Sequence, residues 1–184
     1  MIKEKFKKEN GISMISLVIT ILIMLILTNK CNLNCVYCYE DQKYNGRMNF
    51  ETAICNIEKV LENDRYSEMD IYLFGGEPFL EFDSVKKICE WTWNKKWRIP
   101  YKFTVSTNGT TLREKEKEWL RKNREKMWVV LSLDGNKFSH DINRSNSFDL
   151  IDLEFFRENW PESGIKMTIS EKTLPFLYEN IKYI

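Results

Sequence analysis

Five short apolar runs constrain this chain more than any other feature. Each is followed by a cluster of glycine, polar or cysteine residues and then by an amphipathic stretch. The runs are Met24–Thr28, Asp70–Phe74, Tyr101–Ser106, Trp128–Leu133 and Ile165–Ile169. Between them, Phe50–Glu62, Asp83–Asn94, Leu112–Lys126 and Phe148–Asn159 carry apolar residues at helical spacing, and Leu174–Ile184 begins one more helix. In Asp83–Asn94 the expected inward residues are Val85, Ile88, Cys89 and Trp91/Trp93. Strand–helix alternation implies right-handed βαβ units and a parallel sheet. The predicted fold is therefore α/β, a partial (β/α) TIM-like barrel of about five parallel strands, preceded by an apolar N-terminal segment. Chemistry in such a fold belongs at the C-terminal ends of the strands. The unusual residues of this chain all follow an apolar run.

With 184 residues, 43% of them hydrophobic and 30% charged, the chain can bury one core and reads as globular. A net charge of +1 gives no sign of a nucleic-acid surface. The mixed charges from Arg113 to Lys126 read as a solvated helix face. Of five cysteines, Cys31, Cys35 and Cys38 crowd together while Cys55 and Cys89 stand alone, the latter two reading as core residues. That distribution suggests a reducing, cytoplasmic compartment rather than a secreted disulfide scaffold.

The first 23 residues form a separate basic and apolar segment in this reading, with the core running from 24 to 184. Lys3, Lys5, Lys7 and Lys8 precede the uncharged stretch Ile12–Thr28. That stretch is at the short limit for crossing a bilayer, so membrane association through residues 12–28 is one reading. A secretion signal is a second. The lysines and Gly11-Ile12-Ser13 also resemble a prepilin-type leader, although Ser16 stands where such leaders carry an acidic residue. The favoured reading makes Met24–Thr28 a buried strand and leaves 12–23 open, a helix lying on a membrane or on the barrel being suited to it.

Cys31-Asn-Leu-Asn-Cys35-Val-Tyr-Cys38 is a C-x3-C-x2-C loop. Three thiolates this close can converge on a soft metal centre. A four-iron cluster with three protein ligands leaves one iron open to a substrate. Structural zinc asks for four ligands, and no fourth Cys or His stands at usual spacing. Three buried cysteines or a zinc knuckle are the plainer alternatives.

The loop resembles the signature of the radical S-adenosylmethionine superfamily, and four later segments match that family in order. They are Gly75-Gly76-Glu77-Pro78, Ser106-Thr107-Asn108-Gly109-Thr110, Ser132-Leu133-Asp134-Gly135 and His140-Asp141-Ile142-Asn143-Arg144. The last is similar to peptide- and sulfatase-maturing (SPASM-type) members. The resemblance implies that Cys31, Cys35 and Cys38 hold three irons of a [4Fe–4S] cluster, with S-adenosylmethionine on the fourth. It implies that Gly75, Gly76 and Glu77 grip the amino group of the methionine moiety, and that Pro78 stiffens the turn. Tyr37 would lie near the adenine, and Ser106, Asn108 and Ser132 near the ribose and carboxylate. The implied reaction is reductive cleavage to a 5′-deoxyadenosyl radical that abstracts hydrogen from a peptide or protein, fed by a one-electron donor such as a flavodoxin or ferredoxin. No catalytic side chain is assigned. Glu40, Asp134, His140 and Arg144 are polar candidates near the barrel mouth, with His140 read as structural.

Two departures from the family pattern stand out in the sequence. The family core has six βα units and this chain stops after the fifth strand. The apolar N-terminal run is not a usual lead-in. An inactive cluster-binding fragment and a membrane-anchored, non-enzymatic protein are therefore the competing expectations.

Overall fold

The computed structural model describes residues 20–184, save 41, 42 and 45. Four parallel strands form one sheet in sequence order: β1 (Thr20–Thr28), β2 (Glu68–Gly75), β3 (Tyr101–Thr107) and β4 (Met127–Leu131). Register is set by pairs such as Ile23↔Ile71, Ile71↔Phe103 and Phe103↔Met127. Helices α1 (Phe50–Leu61), α2 (Phe82–Trp93) and α3 (Glu114–Lys122) connect successive strands. They are followed by α4 (Lys137–Asn143), α5 (Leu153–Asn159) and α6 (Leu177–Tyr183).

The core lies between the sheet and the connecting helices. Leu25, Leu27, Ile71, Leu73, Phe103, Val105 and Val129 meet Ala53 and Ile57 of α1, Val85, Ile88 and Cys89 of α2, and Leu120 of α3. The inward residues expected in α2 are buried, with Trp91 and Trp93 packed at its margin. On β1 the alternation leaves Leu22, Met24 and Ile26 about half exposed, at 55%, 49% and 49%. That strand is apolar on both faces, but the described residues cover only one of them.

Three sequence expectations are corrected. The first strand begins at Thr20, not Met24, and its first seven residues all pair with β2, so residues 20–23 belong to the sheet. A membrane segment over 12–28 is therefore cut short at its C-terminal end. No helix among the described residues is long and apolar enough to cross a membrane. Residues 1–19, with the basic and apolar leader, lie outside the described residues. The fifth strand is absent as a strand: Ile165–Ile169 makes a single parallel bridge, Ser132↔Lys166. Two backbone bonds bracket that bridge, and then the Thr168 N–H turns to the Asp134 carboxylate at 2.9 Å. One side chain thus captures the donor that would have extended the ladder.

Helix boundaries follow their caps. The expected helix Leu112–Lys126 begins at Glu114, where Glu116 reaches back to the Arg113 N–H at 2.6 Å, and ends at Lys122 before a 3₁₀ turn. The stretch Phe148–Asn159 divides because Asp152 caps Phe155 N at 3.1 Å, so the helix starts at Leu153. Helix α4 was not expected. Its signal was Asn136, whose side chain accepts from Ser139 N at 3.1 Å.

Candidate active site

The C-terminal ends of all four strands open on one cavity of about 330 Å³. The chain leaves β1 at Thr28 and enters the cysteine loop. It leaves β2 at the glycine turn, β3 at Thr107-Asn108 and β4 at Ser132. Every cluster- or cofactor-binding residue expected from the sequence lines this cavity except Pro78, which is buried at the start of a 3₁₀ turn.

Cys31, Cys35 and Cys38 are partly exposed and unpaired. Burial is the largest influence on Cys31 and Cys35 and pushes both thiols above their ordinary value; the charges of neighbouring thiols push the same way. The three sulfurs therefore share one electrostatic neighbourhood. Among the described residues, however, no three His, Cys, Asp or Glu side chains gather closely enough for a single metal ion. A multi-iron cluster assigns each thiolate to a different iron, so its ligands stand farther apart than those of one ion. Three cysteines with no fourth ligand beside them among the described residues are the donor set of a cluster with one open iron, whereas structural zinc asks for four.

The glycine turn is welded to the cysteine loop. Gly76 N donates to Thr28 O at 2.8 Å and Glu77 N to Lys30 O at 2.7 Å. A Cβ on Gly75 would collide with Thr28 backbone, and one on Gly76 with Lys30 backbone; Gly75 also has φ +140°. The close approach that requires glycine here is thus to the protein's own chain, in addition to any ligand.

Glu77 is 1% exposed. Its carboxylate accepts from Phe79 N at 3.0 Å, Thr107 Oγ1 at 2.8 Å and Asn108 N at 2.7 Å. Burial pushes its pKa up, against the pull of those bonds. Three of roughly four acceptor positions are taken by protein, so the side chain ties the end of β2 to the end of β3. It also lines the cavity, with about one acceptor position left for the ligand contact expected from the sequence. Asn108 is similarly engaged: its Oδ1 accepts from Thr110 N and Thr110 Oγ1 at 3.0 and 2.8 Å, while its Nδ2 donates to Asn32 Oδ1 at 2.9 Å. Ser106 and Ser132 face each other with their hydroxyls 3.5 Å apart.

Tyr37 donates its hydroxyl to Asp134 Oδ2 at 2.6 Å, and the Arg144 guanidinium lies 5.4 Å from its ring centre. Asp134 is also ion-paired with Arg144 Nε at 3.0 Å, and both side chains are almost fully buried. Asn143 Nδ2 donates to the same carboxylate at 3.2 Å. Asp134 and Arg144, weighed from sequence only as polar candidates, thus form the buried polar centre of this wall. Lys43 and Thr168, which sequence reading did not single out, also line the cavity. Lys43 caps the carbonyl of Leu33 inside the cysteine loop.

His140 does not line the cavity. Its Nδ1 accepts from Asp134 N at 3.3 Å and its Nε2 lies 3.0 Å from Ser147 Oγ. Burial, then the Arg144 charge, lowers its pKa from 6.5 to about 4. The neutral ring thus contributes stability that is whole above pH 6.5. As pH falls from 6.5 toward 4, the unfolded chain takes a proton that the folded chain refuses, and that stability is lost. A loss on the order of 1–2 kcal/mol is expected between pH 7 and pH 5. Urea unfolding at the two pH values checks this, with His140→Gln expected to flatten the difference.

A family model described as the Radical SAM superfamily matches residues 25–152. An uncharacterised protein of Methanocaldococcus jannaschii is 30% identical over 88% of this chain and 57% of its own length. The radical SAM cyclopropyl synthase TigE of Paramaledivibacter caminithermalis is 27% identical over 86% of this chain and 37% of its own. Among solved structures, native anSMEcpe with bound AdoMet and Cp18Cys peptide superposes with a TM-score of 0.75 at 25% identity, covering 89% of this chain and 47% of that one. The chain therefore spans about half the length, or less, of the relatives it matches.

Proposed function

The chain belongs to the radical SAM superfamily, and on that premise we propose that Cys31, Cys35 and Cys38 hold a [4Fe–4S] cluster beside an S-adenosylmethionine bound in the 330 Å³ cavity. When bound, this pair would supply one-electron reductive cleavage of the sulfonium's carbon–sulfur bond, with methionine as the leaving group, and hydrogen-atom abstraction from the substrate. The observation that carries the proposal is the meeting of the cysteine loop with all three later strand ends around one cavity.

The side chains have separable tasks. Gly75 and Gly76 bring backbone polar groups to the cavity wall, where an ammonium group can be met without side-chain bulk. Arg144, held by Asp134, is a buried cation suited to a carboxylate. Tyr37, fixed by its bond to Asp134, presents a ring face to an adenine. Ser106 and Ser132 offer hydroxyls to a ribose or carboxylate. Phe74 and Leu33 add apolar wall that helps keep water out. Glu77 and Pro78 stiffen the turn.

The proposed substrate is a peptide or protein side chain, supported by the peptide present with the solved structural relative. The proposed electron source is a flavodoxin or ferredoxin, and the proposed compartment is the cytoplasm, where thiols and clusters stay reduced. Anaerobic reconstitution with iron and sulfide, then dithionite and S-adenosylmethionine, is expected to release 5′-deoxyadenosine. A chain that takes up no cluster defeats the proposal. A chain that holds the cluster and binds the cofactor without cleaving it is the inactive binding fragment instead.

A further inference from the structure

The side chain of Asn108 has a fixed orientation with a chemical consequence for one cysteine. Its Oδ1 receives the Thr110 backbone N–H at 3.0 Å, a group that can only donate. The Thr110 hydroxyl points to the same oxygen at 2.8 Å. The amide nitrogen must therefore face the cysteine loop. One of its hydrogens goes to Asn32 Oδ1 at 2.9 Å, and Nδ2 also lies 3.9 Å from Cys31 Sγ, within reach of a weak N–H···S bond. Asn32 Nδ2 closes the ring by donating to Thr110 Oγ1 at 2.8 Å. The Leu33 N–H, 3.5 Å from the same sulfur, adds a second donor. Among the described residues neither Cys35 nor Cys38 receives a comparable side-chain bond.

We infer that Asn108 is a positioning residue that donates an N–H···S hydrogen bond to the Cys31 thiolate and raises the reduction potential of the bound cluster. The inference rests on the proposal that Cys31 ligates that cluster. Reduction adds an electron to the cluster and makes its thiolate ligands richer in charge. A donor aimed at a sulfur stabilises the reduced form more than the oxidised form. The bond reaches across 77 residues and comes from the loop after β3, so it also joins the metal loop to the cofactor wall.

The test is a potentiometric titration of the reconstituted cluster, followed by the electron paramagnetic resonance signal of its reduced state. Asn108→Ala is expected to weaken one-electron reduction about tenfold, a fall of roughly 59 mV. Thr110→Val leaves Asn108 in place but removes the hydroxyl that helps orient it, and is expected to shift the equilibrium about threefold in the same direction. If Asn108→Ala loses its cluster, Thr110→Val decides alone. Potentials unchanged in variants that keep their cluster overturn the inference. A wild-type chain that takes up no cluster fails the earlier proposal instead, so the two failures are separate.

Discussion

Cys35→Ala is expected to abolish cluster assembly and with it all release of 5′-deoxyadenosine, a loss of at least a hundredfold against the wild-type chain. With three protein ligands there is no spare: removing one leaves two thiols, and no other cysteine lines the cavity. Cys89 of α2 is buried in the core as expected, but Cys55 of α1, also expected to be a core residue, is exposed. The same loss is expected for Cys31→Ala and Cys38→Ala. Iron and sulfide analysis of the reconstituted variants checks the assembly, and chromatography of the reaction mixture checks the cleavage. Cys55→Ala serves as the comparison, because it removes a thiol without touching the cavity. A Cys35→Ala chain retaining a full complement of iron and sulfide would sink the ligand assignment.

Glu77→Ala is expected to lower stability by about 3–5 kcal/mol. It leaves three buried donors without an acceptor: Phe79 N, Thr107 Oγ1 and Asn108 N. Each orphaned donor costs about 1–3 kcal/mol, partly relieved where water can enter. Against a total stability of roughly 5–15 kcal/mol, that is a large fraction. At about 2–4 °C per kcal/mol for a chain of this size, the midpoint of thermal unfolding should fall by roughly 10 °C. Glu77→Gln keeps one acceptor oxygen and is expected to fall between the two. Scanning calorimetry on the three proteins measures it. A loss under about 1 kcal/mol would show that the carboxylate is not the strut between β2 and β3. The same experiment bears on ligand contact: a residue gripping the cofactor would alter affinity with little change in the stability of the cofactor-free chain.

The sequence revealed the parts of the fold that rest on local pattern. Apolar runs gave the four strands because each alternates or stays apolar over a few residues and ends at a turn residue. The cysteine spacing and the glycine turn marked the cavity for the same reason. Helix α4 escaped because its buried residues, Ser139, His140 and Asn143, are all polar, so the stretch has little apolar period; the Asn136 cap was the remaining signal. The fifth strand failed because Asp134, thirty-four positions away, takes the Thr168 N–H. Nothing in Ile165–Ile169 itself announces that. The protein partners of Glu77 and Asn108 were hidden on similar grounds. Both are polar residues after a strand, and local pattern cannot say whether their partners are ligand atoms or protein atoms contributed from 31 or 76 residues away.

The cysteine loop is held from far along the chain. Val36 N bonds to Asn143 O at 2.9 Å, Tyr37 to Asp134 at 2.6 Å, and Asn34 N to Ser145 Oγ at 3.0 Å. During synthesis the three thiols emerge more than a hundred residues before Arg144 and Ser145, the groups that complete their surroundings. A nascent chain therefore displays them loosely, open to oxidation or to stray metal. On the proposed ligand assignment, correct metallation is consequently expected to be a late step of biogenesis, timed by the arrival of the segment after β4.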